Sequence, residues 1–568
     1  MKRRLLLLPV LAYLVDPAPA AENEHPAGAL RRLAGEYYRW RNQEFPVASS
    51  EQGLHTGDDR LTDYTEEALR ARRDRVQKLI AQVRSFPADA WPRDDRIDRA
   101  LLLAQLEGED FFDRERARPE TDPQTYVSEC SNAIFSLLKK NYDAPRTRAL
   151  SATARFKAMP ALLEQGRRTL TRPVRLYARL AIESARAMDG LFVDSLMALA
   201  GDLSRVERAE LVAARDRALG ALKEFARGLE ERLPEMAEFA PMGEERYNWM
   251  LKHVYLLPLD ARQVAMLGEA ELARYRGLEA LLKDPALADP DPARSPSIPR
   301  DQAAFLAAYE SRQAEMIRFL RDQRLVTLPA SLGPFHIRQL PEAFKPTRPG
   351  GFMNPPGRYD RDPSGFFFIP TYDAKSRNFY LRAAIEDPRP ILGHEGIPGH
   401  FLQLSIAHAL PNEIRREHSD GVFVEGWALY GEEMLMRQGL YPEGSAGQAQ
   451  VLRLARYRAA RIGVDVNLHT GRWTFEQAVK HFMEAGGLDR EAAEGEAAGA
   501  ASEPSQKITY MVGKVQIMRL LGKYRDREGA RFRLGAFHDA LLASGSLPLS
   551  IVEWLLLDDP SSLEAAQR

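Results

Sequence analysis

Hydrophobic residues recur at helical spacing along most of the chain. Intervals of three, four and seven residues put apolar side chains on one helix face, for example Leu69, Val76, Leu79, Ile80 and Val83. Similar patterns fill residues 125–240 and 302–324, and Asp301 is placed to cap the second of these stretches. The sequence therefore predicts a mainly α-helical protein.

The pattern changes at Val326. Prolines and aromatic runs become frequent, and residues 366–369 and 378–381 have the composition of short strands around a turn at 373–376. We predict a β-containing segment over residues 326–390. Its aromatic residues are interpreted first as a core patch, and alternatively as a strand edge that holds an extended peptide.

The N-terminus has the three-part layout of a secretory signal peptide. Lys2, Arg3 and Arg4 precede an apolar run from Leu5 to Val15, and small residues follow at 18–20. We expect residues 1–20 to be removed and residues 21–568 to form one periplasmic or secreted domain without a membrane span. An apolar, frayed N-terminus is the alternative.

The net charge and the cysteine content of the chain bear on which kinds of partner it binds. The chain is 45% hydrophobic and 28% charged with a net charge of −1, which gives no reason to expect nucleic acid or an anionic membrane. Cys130 is the single cysteine, so we expect neither a disulfide framework nor a lipid-anchor cysteine after the signal.

The candidate chemistry centres on residues 393–400. His394 and His400 flank Glu395, and zinc hydrolases need neutral imidazoles as ligands and a carboxylate as base. Histidines six residues apart would point about 120° away from each other on an unbroken helix. Pro398 and Gly399 therefore predict a bulge or helix break that brings His400 back toward His394. Two surface histidines on a loop are the alternative.

A catalytic zinc usually has three protein ligands and one open position. Glu425 is the best placed third ligand, because it follows His400 by 25 residues and has small neighbours at Gly426 and Ala428. Glu432 shares its helix face and is predicted to accept a hydrogen bond from a ligand imidazole. Glu433 lies about 80° further round the helix and is expected to matter little.

Four motifs together resemble one bacterial family, domain of unknown function 885. They occupy residues 394–400, 425–430, 458–469 and 504–513, and weaker matches cover nearly all of the mature chain. That family is similar to helical zinc peptidases such as thimet oligopeptidase, angiotensin-converting enzyme and carboxypeptidase Taq. The resemblance implies a mainly α, two-lobed helical shell around a deep cleft, with a small β-sheet next to the active-site helix. It also implies a zinc-site core at 391–515.

The implied function is zinc-dependent hydrolysis of peptide bonds in short peptides. Glu395 is the expected general base, and Tyr510 and His469 are candidate donors to the oxyanion. Arg461 is expected either to bind a substrate carboxylate or to pair with Asp465. For Tyr510 the alternative is packing under the last helices.

Two other functions remain open from the sequence. One is a catalytically idle protein that binds peptide or metal on the same fold, against which Glu395 argues because ligation alone does not need it. The other is a zinc amidase that acts on a non-peptide or cell-wall amide.

Overall fold

The computed structural model describes residues 26–282, 299–341, 344, 350–376 and 378–568. Helices dominate these residues and a small sheet accompanies them, which confirms the predicted fold class. The predicted signal peptide at residues 1–20 lies outside the described residues. No helix in the described part of the chain is both long and apolar enough to cross a membrane.

Helices form the regular structure of the first described part of the chain, residues 26–232. Its helices are α1 (Pro26–Glu44), α2 (Pro46–Glu51), α3 (Glu66–Ser85), α4 (Arg93–Arg116), α5 (Arg118–Thr121), α6 (Gln124–Leu138), α7 (Pro145–Thr169), α8 (Arg175–Arg186), α9 (Met188–Leu199) and α10 (Arg205–Arg232). The apolar residues predicted to share one face of α3 are all buried. Helical periodicity in the sequence therefore located this face correctly.

Three further helices lead to the sheet. They are α11 (Glu244–His253), α12 (Ala261–Ala280) and α13 (Gln302–Asp322). The Asp301 side chain accepts a hydrogen bond from the backbone N–H of Ala304, which confirms it as the cap of α13.

The sheet has three short strands, β1 (Phe335–Gln339), β2 (Phe352–Asn354) and β3 (Gly365–Ile369). β3 is central, parallel to β1 with Phe335 opposite Gly365, and antiparallel to β2. The Phe335 ring stacks on Phe401 with centroids 4.8 Å apart. The small sheet therefore packs directly against the helix that begins at His400, as predicted.

The predicted strand at residues 378–381 is wrong. Asn378 caps α14 (Phe379–Glu386), and its side chain accepts hydrogen bonds from the backbone N–H groups of Tyr380 and Leu381. The aromatic residues that suggested a strand pack as a helix because this cap fixes the start of the first turn.

The remaining helices are α15 (Arg389–Glu395), α16 (His400–His408), α17 (Glu413–Glu417), α18 (Gly421–Arg437), α19 (Ala446–His469), α20 (Phe475–His481), α21 (Arg490–Ser502), α22 (Thr509–Glu528), α23 (Leu534–Ala543), α24 (Leu549–Leu557) and α25 (Ser561–Gln567). Residues 490–501 are rich in Ala and Glu, a composition that predicts a solvated helix or linker at α21. Instead α21 buries Ala493, Ala497 and Ala500 completely. Its alanines form a packed face because small side chains let neighbouring helices approach closely.

α18 and α22 lie in backbone contact and position much of the candidate site. A Cβ atom added to Gly513 would lie 1.9 Å from the Val422 carbonyl oxygen, and one added to Gly426 would lie 2.5 Å from the Gly513 Cα. Only glycine fits at this crossing. The buried apolar residues of α18 and α22 belong to the main hydrophobic core, while α6–α10 enclose a second core that reaches β3.

Candidate metal centre

Three side chains from three helices converge on one point. His394 lies at the end of α15, His400 begins α16, and Glu425 lies near the start of α18. Glu425 Oε2 is 3.4 Å from His394 Nε2 and 3.2 Å from His400 Nε2. Both histidines are buried, and the Glu425 side chain is 20% exposed. The structure thus brings the three predicted metal ligands together.

The helix break predicted between the histidines is present. α15 ends at Glu395, α16 begins at His400, and the Ile397–Pro398 peptide bond is cis. A Cβ atom on Gly399 would lie 1.9 Å from the His394 carbonyl oxygen, so this close return of the chain requires glycine. Trp427 Nε1 donates a hydrogen bond of 2.9 Å to the Pro398 carbonyl oxygen and ties the bend to α18.

The geometry fits a tetrahedral zinc ion. Ligand bonds of about 2.0–2.1 Å separate any two ligand atoms of a tetrahedron by about 3.3–3.4 Å. The measured separations from Glu425 Oε2, 3.4 Å and 3.2 Å, are close to that edge length. Two imidazoles and one carboxylate also form a donor set typical of catalytic zinc, with a fourth position left for water or substrate.

Glu432 orients one of the two imidazoles. Its Oε1 lies 2.8 Å from His394 Nδ1, and the residue is fully buried. A carboxylate at this distance holds the proton on Nδ1, so that Nε2, on the side of Glu425, is the ring nitrogen whose lone pair would bind a metal ion once its proton is lost. Arg458 Nη2 lies 3.5 Å from the same Glu432 oxygen and supports its negative charge. Glu432 occupies the position predicted for it.

The local charges favour a cation at the centre. Burial lowers the pKa of His394, but Glu425 and Glu432 outweigh burial and raise that pKa to about 9. Burial opposes ionisation of Glu425, but His400 and His394 hold its pKa well below the usual range. The two carboxylates therefore stabilise positive charge beside the imidazoles, whether it is carried by a proton or by a divalent ion.

Glu395 lies next to the ligands in sequence without being one of them. It ends α15, is half-buried and lies outside the group of three converging residues. Burial raises the pKa of Tyr309 in α13, and the charges of Asp387 and Glu395 add to this rise. Among the described residues its carboxylate has no hydrogen-bond or ion-pair partner, which leaves it available for proton transfer.

Tyr510 packs against the centre. Its ring stacks on His394 with centroids 6.0 Å apart and an angle of 14° between the planes. Its hydroxyl accepts a 3.0 Å hydrogen bond from Gln506 Nε2. Burial, with a contribution from the Glu425 charge, raises the pKa of Tyr510, so the phenol stays protonated and retains a proton to donate. The structure thus brings Tyr510 to the site.

His469 is not brought to the site. It is buried at the end of α19, where its Nε2 lies 2.9 Å from the Ala500 carbonyl oxygen. Its ring contacts are with Phe239 and Tyr247. Because Nε2 already has a backbone partner, His469 has no proton aimed at the metal ligands.

The predicted pairing of Arg461 with Asp465 is wrong. Nε and Nη2 of Arg461 each donate a 3.0 Å hydrogen bond to Glu496 in α21. Asp465 instead accepts hydrogen bonds from the Tyr247 hydroxyl and from the backbone N–H of Ser505. The guanidinium carbon of Arg461 also lies 4.7 Å from the centroid of the Tyr510 ring.

Glu433 is more important to the fold than the sequence suggested. Its carboxylate is buried, contacts Lys514 of α22, and accepts hydrogen bonds from Arg274 at 2.7 Å and Tyr275 at 2.6 Å. The pKa of Glu433 is strongly lowered, because these partners outweigh burial. It therefore joins α12, α18 and α22 through a buried ion pair.

The family resemblance implied a deep cleft, but the sequence did not indicate which residues line it. A cavity of about 580 Å³ is lined by Glu425, by Gln506 and Thr509, and by residues of α1, α3 and α4. A second cavity of about 420 Å³ shares part of this lining, namely Arg41, Phe45, Phe112, Tyr255 and Gly421. The two cavities form one cleft between the N-terminal helices and the start of α18. Its walls come from distant parts of the chain, so no local motif signals it.

A family model described as "Bacterial protein of unknown function (DUF885)" matches residues 46–556. The chain belongs to the DUF885 family. The matched range contains every residue of the metal centre from His394 to Tyr510, whereas Arg41 in the cleft precedes it. No curated protein matches the chain.

Two solved structures share the fold of this DUF885 protein. One is described as "a putative lipoprotein of unknown function from Shewanella oneidensis", with a TM-score of 0.72 and 22% identity over 95% of this chain and 100% of that one. The other is "the putative lipoprotein from Colwellia psychrerythraea", with a TM-score of 0.75 and 18% identity over 96% and 100%. At these identities the likeness establishes the fold alone.

Proposed function

We propose that this protein is a zinc-dependent hydrolase that cleaves peptide bonds of short peptides. The observation that carries the proposal is the convergence of His394 Nε2 and His400 Nε2 on Glu425 Oε2, at 3.4 Å and 3.2 Å. The contact of Glu432 with His394 Nδ1 supports it, because a ligand imidazole commonly donates its other ring proton to a carboxylate.

In this proposal the side chains of the site bind the metal ion, transfer a proton and stabilise the intermediate. His394, His400 and Glu425 would hold the ion, which when bound supplies a Lewis acid and lowers the pKa of water. Glu395 accepts the proton of the attacking water and passes it to the leaving nitrogen. The Tyr510 hydroxyl donates a hydrogen bond to the oxygen that becomes negative in the tetrahedral intermediate.

Two features favour a hydrolase over an idle binding protein. Glu395 has no structural partner among the described residues, and metal ligation alone does not need its carboxylate. The cavity that reaches Glu425 has about 580 Å³, which falls within the usual range of substrate pockets. A ligand-sized space thus adjoins Glu425, one of the three candidate ligands.

We further propose that the protein is exported to the cell envelope. The signal-like N-terminus supports this, and both structural neighbours are described as lipoproteins. Mass spectrometry of the protein from its native host should find an N-terminus near Ala21. Recovery of an intact Met1–Val15 segment in the soluble cytoplasm would contradict export.

The test of the function is digestion of a mixed peptide library by the purified protein with zinc supplied, read by mass spectrometry. We expect cleavage that stops when a chelator removes zinc and returns when zinc is restored. A library that stays intact while a non-peptide or cell-wall amide is cleaved would favour the amidase alternative. No cleavage of either class by zinc-loaded protein would refute the hydrolase.

A further inference from the structure

The larger cavity is lined by five arginines, and four of them already donate hydrogen bonds to the protein. Arg72 binds the Asp63 carbonyl oxygen at 2.7 Å and Arg73 binds Glu120 at 2.8 Å. Arg116 and Arg118 both bind Glu503. These four guanidinium groups are therefore held in the cavity wall by hydrogen bonds within the protein. The fifth arginine of this lining is Arg41.

Arg41 has no hydrogen-bond partner for its side chain among the described residues. Its Nε is buried and unpaired, and the nearest carboxylate oxygen, Glu109 Oε2, is 3.8 Å away. That oxygen already accepts a 2.5 Å hydrogen bond from the Tyr37 hydroxyl. Glu109 thus compensates the Arg41 charge without accepting a hydrogen bond from it, which leaves the buried Nε donor unsatisfied.

The guanidinium is charged and accessible. Burial lowers the pKa of Arg41, but the neighbouring Tyr37 and Glu109 outweigh burial and raise it. The side chain is 43% exposed, and it lines both cavities at the place where they meet. Because Glu425 lines the larger cavity too, a ligand in this cleft can contact Arg41 while another part of it lies beside the metal centre.

The planar N–H fork of arginine matches a carboxylate or a phosphate. Acidic side chains line the same cavity, including Glu109, Asp110, Asp113 and Glu503. Together with Glu425 they equal the five arginines of the lining in number, so the cavity has no excess positive charge to hold a doubly charged phosphate. The lining therefore favours a singly charged carboxylate.

We propose that Arg41 binds a carboxylate of the substrate and so anchors one end of a peptide in the cleft. The carboxylate is either the free C-terminus or an Asp or Glu side chain. Naming the ligand as a peptide rests on the proposed hydrolase function, whereas the binding of a carboxylate by Arg41 does not.

The test compares binding of three versions of one short peptide by calorimetry, in the zinc-supplied Glu395→Gln background so that turnover does not interfere. The first has a free C-terminus and no acidic side chain, the second is amidated, and the third is amidated but contains Glu. Three proteins are compared in this background: the parent, Arg41→Gln, and Arg39→Gln as a control. Arg39 is an exposed arginine of α1 that lines neither cavity.

We expect the free peptide to bind about 10- to 100-fold more tightly than the amidated one, as charge-assisted hydrogen bonds to a carboxylate allow. Arg41→Gln should abolish this preference and Arg39→Gln should retain it. If only the Glu-containing amidated peptide regains affinity, the carboxylate comes from a side chain. If Arg41→Gln does not fold, Arg41→Lys is used instead. Lysine keeps the positive charge but lacks the planar pair of N–H donors, so this variant should lose part of the preference for the free peptide.

Failure of this inference is distinct from failure of the function. A protein that cleaves peptides but shows no carboxylate preference, or keeps it in Arg41→Gln or undiminished in Arg41→Lys, overturns the role of Arg41 alone. A protein that cleaves nothing but shows an Arg41-dependent preference refutes the hydrolase and supports the carboxylate site.

Discussion

Replacing Glu433 with alanine tests whether the buried ion pair between α18 and α22 stabilises the fold. The change removes the carboxylate that contacts Lys514 and accepts hydrogen bonds from Arg274 and Arg437 at 2.7 Å and 2.8 Å. The Lys514 side chain is only 2% exposed, so its ammonium would be left without water, and its remaining anion would be Glu271 at 3.9 Å. Breaking one partner of such a pair costs about 3–5 kcal/mol.

This cost converts into a measurable change of melting temperature. For a chain of 568 residues, about 2.1 cal/mol/K per residue gives an unfolding entropy of about 1.2 kcal/mol/K. We therefore expect the Tm of Glu433→Ala to fall by about 2.5–4 °C at pH 7 in thermal unfolding followed by circular dichroism. The pKa of Glu433 is lower in the folded protein than in the unfolded chain. Its contribution to the free energy of unfolding is therefore fully present above the unfolded pKa, and it is lost as the pH falls through the folded pKa.

Two controls separate the ion pair from a general effect of losing an acid. Glu484 is 67% exposed and lies 3.8 Å from Lys480, so Glu484→Ala should change stability by less than about 0.5 kcal/mol. The double variant Glu433→Ala/Lys514→Met removes both buried charges and should recover most of the loss. An unchanged Tm in Glu433→Ala, or a double variant no more stable than the single one, would refute the reasoning.

Two further predictions concern the metal and pH. Glu425→Ala should abolish stoichiometric zinc binding, which metal analysis of the purified protein measures. Glu432→Ala should weaken zinc affinity by about 10- to 100-fold, as measured by chelator competition. A zinc-replete Glu425→Ala protein would mean that another carboxylate is the ligand. His408, His418 and His538 have pKa values lowered to about 4, chiefly by burial. The unfolded chain therefore binds more protons below about pH 6.5, and the free energy of unfolding should fall between pH 6.5 and 4 by up to about 3 kcal/mol per histidine. Urea unfolding that is unchanged over this range would contradict the burial of these rings.

The sequence predicted the three converging residues of the candidate metal centre better than their surroundings. Proline and glycine at 398–399 indicated the helix break because their backbone limits are local properties. Helical spacing likewise put Glu425 and Glu432 on one face. The residues that form the centre were therefore predictable, because each depends on a short stretch of chain.

The errors concern contacts between distant stretches. Arg461 pairs with Glu496 rather than the nearby Asp465, and His469 uses its Nε2 on the Ala500 carbonyl oxygen. Both partners lie on α21. The composition of this helix predicts that it is solvated, whereas the structure buries its alanine face. Asn378 shows the same limit locally, because a single cap outweighs the strand preference of the aromatic residues after it.

The central claim is that Glu395 is the base of a zinc-dependent hydrolase. The most direct measurement compares the wild type with Glu395→Gln for zinc content and for turnover of a peptide found by library digestion. We expect equal zinc content in both proteins and a loss of several orders of magnitude in turnover, because the base is removed while the ligands remain. Equal zinc content with undiminished hydrolysis in Glu395→Gln would contradict the mechanism.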